Sequence, residues 1–276
     1  MNTCVKMLDQ QINQFRELIW NYYATCGRSF DWRNVEDPYK IVVSEIMLQQ
    51  TQTHRVATKY LEFIDKFPTF VDLAEARLHE VLSAWQGLGY NRRGKYLHQI
   101  AHKVMSEYNG ILPDDPEVLQ IFPGIGPNTA GSICAFAFNK PIVFIETNIR
   151  AVFLHTFFPD QKQVHDKELM PLIQQTVDHD NPREWYYALM DYGVMLKKAM
   201  PNPSRKSKHH MQQSKFEGSH RQIRGMILKL LTTHGCLDRA TLLQSIDRNA
   251  HNIEKAIEEL CTEGMICVRD SQILID

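Results

Sequence analysis

Glu45 stands in the run Ser44-Glu45-Ile46-Met47-Leu48-Gln49-Gln50-Thr51-Gln52, a single carboxylate in an otherwise uncharged stretch. Downstream comes the loop Phe122-Pro123-Gly124-Ile125-Gly126-Pro127-Asn128, and then a second acid, Glu146. Two glycines between helices let the backbone turn tightly and leave N–H groups unobstructed at the next helix start. Those donors, with the positive end of the helix dipole, suit a phosphate oxygen. A carboxyl beside a cleft is desolvated, which raises its pKa and fits it for general-acid work. An acid, a phosphate clamp and a second carboxylate, in that order, point to cleavage of a bond in a nucleic acid. Each feature also has a plainer counterpart. Glu45 fits a solvated helix face, the loop fits an ordinary tight connection, and Glu146, after the apolar run Pro141–Ile145, fits a helix N-cap.

The rest of the chain must position these groups. At 276 residues and 43% hydrophobic content it can bury a full core as two or three domains. A formal net charge of −1 leaves nucleic-acid contact to local basic patches. The opening Met1-Asn2-Thr3-Cys4-Val5-Lys6 lacks an apolar h-region and no apolar run is long enough to span a bilayer. A soluble intracellular monomer is expected, cytoplasmic or nucleoid-associated, with no membrane partner. Cys4, Cys26, Cys134, Cys236, Cys261 and Cys267 include no C-x-x-C pair, so no metal or cofactor is expected and the thiols read as free in a reducing compartment.

Helical periodicity dominates to about residue 200. Helices are expected at Val5–Tyr23, from Asp37-Pro38 through Gln49, and at Thr53–Lys66, Leu78–Gln86, Arg92–Tyr108 and Glu117–Ile121. Further helices fit Thr129–Phe138, Asn148–Phe158, Lys167–Val177 and Arg183–Lys198. Asp37-Pro38 and Asp115-Pro116 carry the N-cap and first-turn proline signal. Between Lys197 and Arg224 the composition turns basic, with prolines at 201 and 203, which reads as a linker. Beyond it, helices at Gln222–Thr232, Arg239–Ile246 and Asn252–Glu263 and a ribbon of Met265–Val268 with Gln272–Ile275 outline a winged helix. Its third helix carries Glu254, Glu258, Glu259 and Glu263, which would repel phosphates in a major groove, so a packing or protein-partner role is favoured.

Residues 28–200 resemble the helix-hairpin-helix DNA glycosylases, and among them the MutY-type adenine glycosylases. The resemblance rests on Trp32-Arg33, Asp37-Pro38-Tyr39-Lys40, Ser44 to Gln52, Trp85-Gln86-Gly87-Leu88-Gly89-Tyr90, Pro123 to Gly131 and Met190-Asp191-Tyr192-Gly193. It implies a mainly α, two-lobed fold with a C-terminal winged-helix-like module. The implied parts are a six-helix barrel lobe at 30–142, a second lobe from 1–29 and 143–200, a basic linker at 201–220 and the module at 221–276. By the same resemblance Glu45 protonates the ring of a flipped purine, Glu146 is the second carboxylate, and Asn148 orients that carboxylate or the water. Trp32, Arg33 and Asn128 line the base pocket. Gln49, Gln50 and Tyr90 meet DNA where the base leaves, Gly124 and Gly126 hold a backbone phosphate, and Lys206 and Lys208 face phosphates. The implied partner is double-stranded DNA with a mispair. The implied reaction is hydrolysis of the N-glycosidic bond of adenine opposite 8-oxoguanine or guanine, through an oxocarbenium-like transition state.

Three departures qualify this. The second acid is aspartate in most relatives and glutamate here, which moves the carboxylate by about 1 Å where roughly 0.5 Å matters. Asn128 stands where bifunctional relatives carry a Schiff-base lysine, so AP lyase activity is not expected. The four-cysteine iron–sulfur loop is replaced by Leu196 to Pro203 and the basic linker. The alternatives are excision of another base, hypoxanthine or T/U opposite G, and a catalytically weak protein that binds mispairs or abasic sites.

Overall fold

The computed structural model describes residues 9–210 and 215–275. The chain is mainly helical. In order it forms α1 (Asp9–Cys26), α2 (Pro38–Leu48), α3 (Thr53–Lys66), α4 (Phe70–Glu75), α5 (Leu78–Ala84), α6 (Arg92–Glu107) and α7 (Pro116–Leu119). There follow α8 (Pro127–Phe138), α9 (Thr147–Phe157), α10 (Asp166–Thr176) and α11 (Pro182–Ala199). The C-terminal module is α12 (His220–His234), β1 (Cys236–Asp238), α13 (Arg239–Ser245), α14 (Ala250–Thr262), β2 (Cys267–Arg269) and β3 (Gln272–Leu274). Both cap signals hold: Asp37 accepts from the Tyr39 N–H at 2.9 Å and Asp115 from the Glu117 N–H at 2.7 Å. The expected start of the first helix, Val5 to Leu8, lies outside the described residues, as does Cys4.

The contacts divide the chain into two compact units, Met1–Ile41 with Asp114–Ile121 and Ile125–Gln212, and Val42–Pro113 with Phe122–Gly124 and Gln213–Asp276. In the first unit α8 buries Ala130 to Ala137, and α9 buries Ile149 and Ala151 to Leu154. Aromatic rings fill the space around them. Phe15 of α1 meets Phe153 and Trp185 edge-on at 5.4 and 6.0 Å, and Phe136 stacks on Tyr187 at 4.5 Å. That packing of α8 on α11 places residues 125–142 with the first unit, although they were expected in the barrel lobe. Gly193 of α11 lies against α9, where a Cβ would come within 2.4 Å of the Asn148 carbonyl oxygen. Only glycine permits that approach.

The expected linker is folded in its first half. Pro203–Lys206 is a 3₁₀ turn with Pro203 and Ser204 buried. Ser204 Oγ donates to the Thr147 carbonyl at 2.9 Å, and Ser207 forms a parallel bridge with Val164. The composition is that of a tether, but these small buried residues seat the segment on α9.

In the second unit α3, α5 and α6 pack around Val56, Phe63, Val81, Trp85, Leu97 and Ile100, all fully buried. Two elements were missed in the sequence: α4, only six residues long, and the three-residue strand β1. The sheet has the order β1-β3-β2, antiparallel throughout, with the buried Ile273 facing Leu237 on one side and Val268 on the other. Together with α12–α14 this completes a winged helix. The module shares its core with α5, since Leu78 and Leu82 pack among Ile227, Leu228, Leu231 and Ile257.

The acids of α14 serve that packing. Glu259 pairs with His220 (2.8 Å) and Arg224 (3.1 Å), and Glu263 takes Arg224 (2.5 Å) and Arg92. Burial opposes the charge on Glu263, but hydrogen bonds from Arg92 and Arg224 outweigh it and hold its pKa down to about 2. Its contribution is complete above the ordinary glutamate value of 4.5 and is lost as pH falls from there toward 2. Glu263→Gln is expected to flatten the acid limb of stability in that window, measured as thermal midpoint against pH.

Candidate active site

Within the second unit, α2 is anchored by Val42, Val43, Ile46 and Met47, all fully inaccessible, while Glu45 is half-buried on the same helix. The helix ends at Leu48, and the chain turns through Gln49 and Gln50. Gln50 adopts φ +54° and Tyr90, in a neighbouring loop, φ +47°. Non-glycine residues with positive φ are uncommon, and such strain persists only where the surroundings enforce it. One side chain does so for both. The buried Arg93 guanidinium donates to the carbonyls of Ile46 (2.8 Å), Met47 (2.8 Å) and Gln49 (2.6 Å), closing the end of α2. Its other amine reaches Thr51 Oγ1 (2.8 Å) and the carbonyls of Leu88 (3.3 Å) and Gly89 (3.1 Å). Gln49 and Gly89 immediately precede the two strained residues. Arg93 also lies over the rings of Trp85 and Tyr90, each at 5.5 Å, and burial lowers its pKa to about 10.

The same unit holds the first half of the glycine loop. Gly124 has φ +76°, and a Cβ there would come within 2.6 Å of the Tyr96 ring. Gln49 Nε2 donates to the Gly124 carbonyl at 3.1 Å, so the residues at the end of α2 also hold the loop. Gly126 is different: it is the extended N-cap of α8, and a Cβ there would meet open space.

Within the first unit, Glu146 is the N-cap of α9. Its Oε1 accepts from the N–H groups of Asn148 (2.7 Å) and Ile149 (2.8 Å), and its Oε2 from Asn148 Nδ2 (3.1 Å). A carboxylate here faces the positive end of the helix dipole. The plainer role weighed for Glu146, capping, is thus present whatever its chemistry. Glu146→Ala is expected to cost about 0.5–2 kcal/mol of stability by denaturant titration, with Glu146→Asp retaining most of it because aspartate caps well. The side-chain amide oxygen of Asn148, Oδ1, is buried and has no hydrogen-bond partner among the described residues. Asn128 is structural in its observed contact: its Oδ1 accepts from the Ile145 N–H at 3.3 Å, tethering the segment that delivers Glu146.

Trp32 and Arg33 lie in an aromatic and ionic stack. Phe30 and Trp32 are parallel at 4.6 Å, and Trp32 is 4% exposed. Arg33 grips Asp191 with both amines (2.9 and 2.8 Å) and lies over Tyr187 at 4.4 Å. Arg28 adds its N–H and guanidinium to the same carboxylate. Burial opposes the charge on Asp191, but the hydrogen bonds and charge of Arg33 and Arg28 keep it below the usual carboxylate range. Arg33 is therefore committed to Asp191, with its guanidinium lying over the Phe30 ring as well, at 5.2 Å. Lys197, four residues beyond Gly193, is half-buried; desolvation lowers its pKa against the opposing pull of the Glu146 charge.

The basic pair is split. Lys206 Nζ donates to the Pro159 carbonyl at 2.5 Å, whereas Lys208 is exposed. The residues following α11 contain no cysteine before the C-terminal module, and among the described residues no group of three or more His, Cys, Asp or Glu is arranged to hold a metal ion. These side chains do not fit a cysteine-bound cluster. No described helix is long and apolar enough to cross a membrane. Arg93, Asp191 and Lys197 went unremarked as site residues in the sequence; the only signal for Arg93 was its place three residues after Tyr90, at the start of the expected helix Arg92–Tyr108.

Residues 43–177 match the model of the HhH-GPD superfamily base excision DNA repair proteins, and the chain belongs to that superfamily. Its relatives narrow the comparison. It is 33% identical over 187 residues to the adenine DNA glycosylase of Buchnera aphidicola subsp. Baizongia pistaciae, covering 66% of this chain and 52% of that protein. It is 36% identical over 199 residues to the Homo sapiens adenine DNA glycosylase, covering 67% and 36%. The chain thus spans about half or less of the length of these curated relatives. Among solved structures it is similar to a thermostable thymine-DNA glycosylase, with TM-score 0.63 and 26% identity over 72% of this chain and 91% of that one. A non-covalent endonuclease III–DNA complex matches with TM-score 0.56 and 17% identity over 70% and 87%, a likeness of fold.

Proposed function

We propose that the chain is a monofunctional DNA glycosylase of base excision repair that hydrolyses the N-glycosidic bond of adenine mispaired with 8-oxoguanine or guanine. The observation that carries this reading is the end of α2. The helix that bears Glu45 runs into Gln50, and one buried guanidinium holds both Gln50 and Tyr90 in left-handed conformations. Side chains projected from two fixed backbone positions suit the space a base leaves when it is extruded from the stack, which costs a few kcal/mol. Glu45 then protonates the departing purine as the glycosidic bond breaks, and water adds to the oxocarbenium-like sugar carbon and returns a proton to the Glu45 carboxylate. The names of the curated relatives support adenine as the base.

A second reading, excision of thymine or uracil opposite guanine, draws on the likeness to the thymine-DNA glycosylase. Single-turnover assays on duplexes with A:8-oxoguanine, A:G, T:G and U:G, with and without alkali, separate the two. Alkali-dependent cutting at adenine supports the proposal, and cutting at thymine or uracil alone favours the second reading. Cutting without alkali would contradict the monofunctional assignment, and no cutting with binding retained would leave a mispair-binding protein.

DNA contact by the segment after α11 has its own test. Lys208→Ala is expected to reduce the salt slope of binding by about one unit, as for one lost phosphate contact. Lys206→Ala should change it less, because that ammonium is held by Pro159.

A further inference from the structure

Two histidines one helical turn apart, His98 and His102, project from the same side of α6, and their ring nitrogens converge. His98 Nε2 lies 3.1 Å from His102 Nε2 and 2.9 Å from the carbonyl oxygen of Ala76. The rings cross edge-on at 74°, with centroids 4.5 Å apart. Ala76 closes α4 and directly precedes the capping residue of α5, and α6 packs against both of these helices. Three donor atoms from two parts of the second unit therefore meet at its surface, with His98 half-buried and His102 exposed. Protons alone satisfy them poorly. A neutral imidazole has a hydrogen on one nitrogen and a lone pair on the other. If His98 Nε2 carries the hydrogen, one N–H must divide between the carbonyl and His102. If His102 donates instead, the His98 lone pair faces the carbonyl oxygen. A cation among the three would meet a lone pair from each. The spacing has the right size, because bonds of about 2.0–2.1 Å to one ion place neighbouring nitrogens about 2.9–3.4 Å apart. The cations next to these residues in sequence, Arg77 and Lys103, are each paired with an acid, at 3.3 Å to Glu80 and 2.7 Å to Glu107.

We propose that His98, His102 and the Ala76 carbonyl bind a first-row transition-metal dication such as zinc. Histidines at i and i+4 on one helix face are a recurrent pair of zinc ligands. Imidazole suits zinc, copper and nickel, whereas magnesium and calcium prefer oxygen ligands. Each ring binds through Nε2 and keeps its hydrogen on Nδ1. Water completes the shell, because the exposed side of His102 leaves the remaining positions open. The ion ties the middle of α6 to the corner between α4 and α5 and so acts as a clamp within the second unit. It requires no DNA, and it stands whether or not the base-excision reading does. Cysteine spacing carries no trace of this site, since none of its ligands is a thiol.

The test uses the full chain and the metal alone. Zinc chloride titrated calorimetrically into the reduced protein is expected to fill a site that His102→Gln weakens by about tenfold or more, since even residues outside a ligand shell change metal affinity by about 10–100-fold. His102 is exposed, so the variant should melt like wild type without metal, while wild type alone gains several degrees when zinc is added. Nitrogen NMR of the imidazoles needs no substitution: the Nε2 resonances of His98 and His102 should shift together as zinc is added, and magnesium should leave them in place. Zinc affinity and melting gain that are the same in wild type and His102→Gln would put the metal elsewhere and overturn the proposal. Nε2 resonances unmoved at millimolar zinc would also overturn it and leave an ordinary ring-to-ring hydrogen bond.

Discussion

Glu45→Gln should reduce single-turnover excision by about 10²–10⁴-fold while leaving affinity for the same duplex within a factor of two or so. The substitution keeps shape and hydrogen-bonding capacity but removes the acidic proton the departing purine must receive. The fold should tolerate it. Val42, Val43, Ile46 and Met47 anchor α2 through the apolar face, and Glu45 is not among the fully buried side chains of that helix. Affinity should survive because the loops at Gln50 and Tyr90 are set by Arg93. Rates measured with enzyme in excess, beside anisotropy titrations, check both halves. A Glu45→Gln protein that excises at the wild-type rate would place the acid elsewhere. One that loses binding and rate together would make Glu45 a structural residue. Glu45→Asp should retain part of the rate, since it keeps an acid but withdraws it from the geometry that productive proton transfer requires.

How much of this was legible in the sequence depended on whether a feature was local. Asp37-Pro38 and Asp115-Pro116 are complete signals within two or three residues, and both caps are present. The long helices announce themselves by periodicity, and α3 spans the expected Thr53–Lys66. Short elements do not: three residues of β1 hold no countable alternation, and its pairing with β3 joins residues almost forty positions apart. The basic segment misled through composition, because its charges are visible while the burial of Pro203, Ser204 and Ser207 depends on partners on and near α9. At the site, residue types were readable but commitments were not. Nothing near Arg33 in sequence says that Asp191 will claim it, and Glu146 read equally well as acid or cap. The positive φ angles of Gln50 and Tyr90 had no local sign, since neither is glycine.

Arg93 is the largest of these omissions and carries the second prediction. Arg92 and Arg93 are adjacent and chemically identical, yet Arg92 is exposed and Arg93 is buried beneath two loops. Methionine at position 93 would leave the carbonyls of Ile46, Met47, Gln49, Leu88 and Gly89 without this donor, in a site where water enters poorly. A buried acceptor stranded in this way costs about 1–3 kcal/mol. The loops can relax to satisfy some of them, so a total near 3–5 kcal/mol is expected, comparable to breaking a buried ion pair. Relaxation is itself the functional consequence, because Gln50 and Tyr90 have no reason to stay left-handed once Gln49 and Gly89 are released. Arg93→Met should therefore lower stability in urea titration and slow excision even at temperatures where the variant is fully folded. Arg93→Lys tells the two effects apart. An ammonium restores the charge but lacks the planar fork that serves α2 and the Tyr90 loop together. Stability should return in part while excision stays slow. A loss under about 1 kcal/mol for Arg93→Met, with excision unchanged, would mean the two loops hold their shape without the guanidinium.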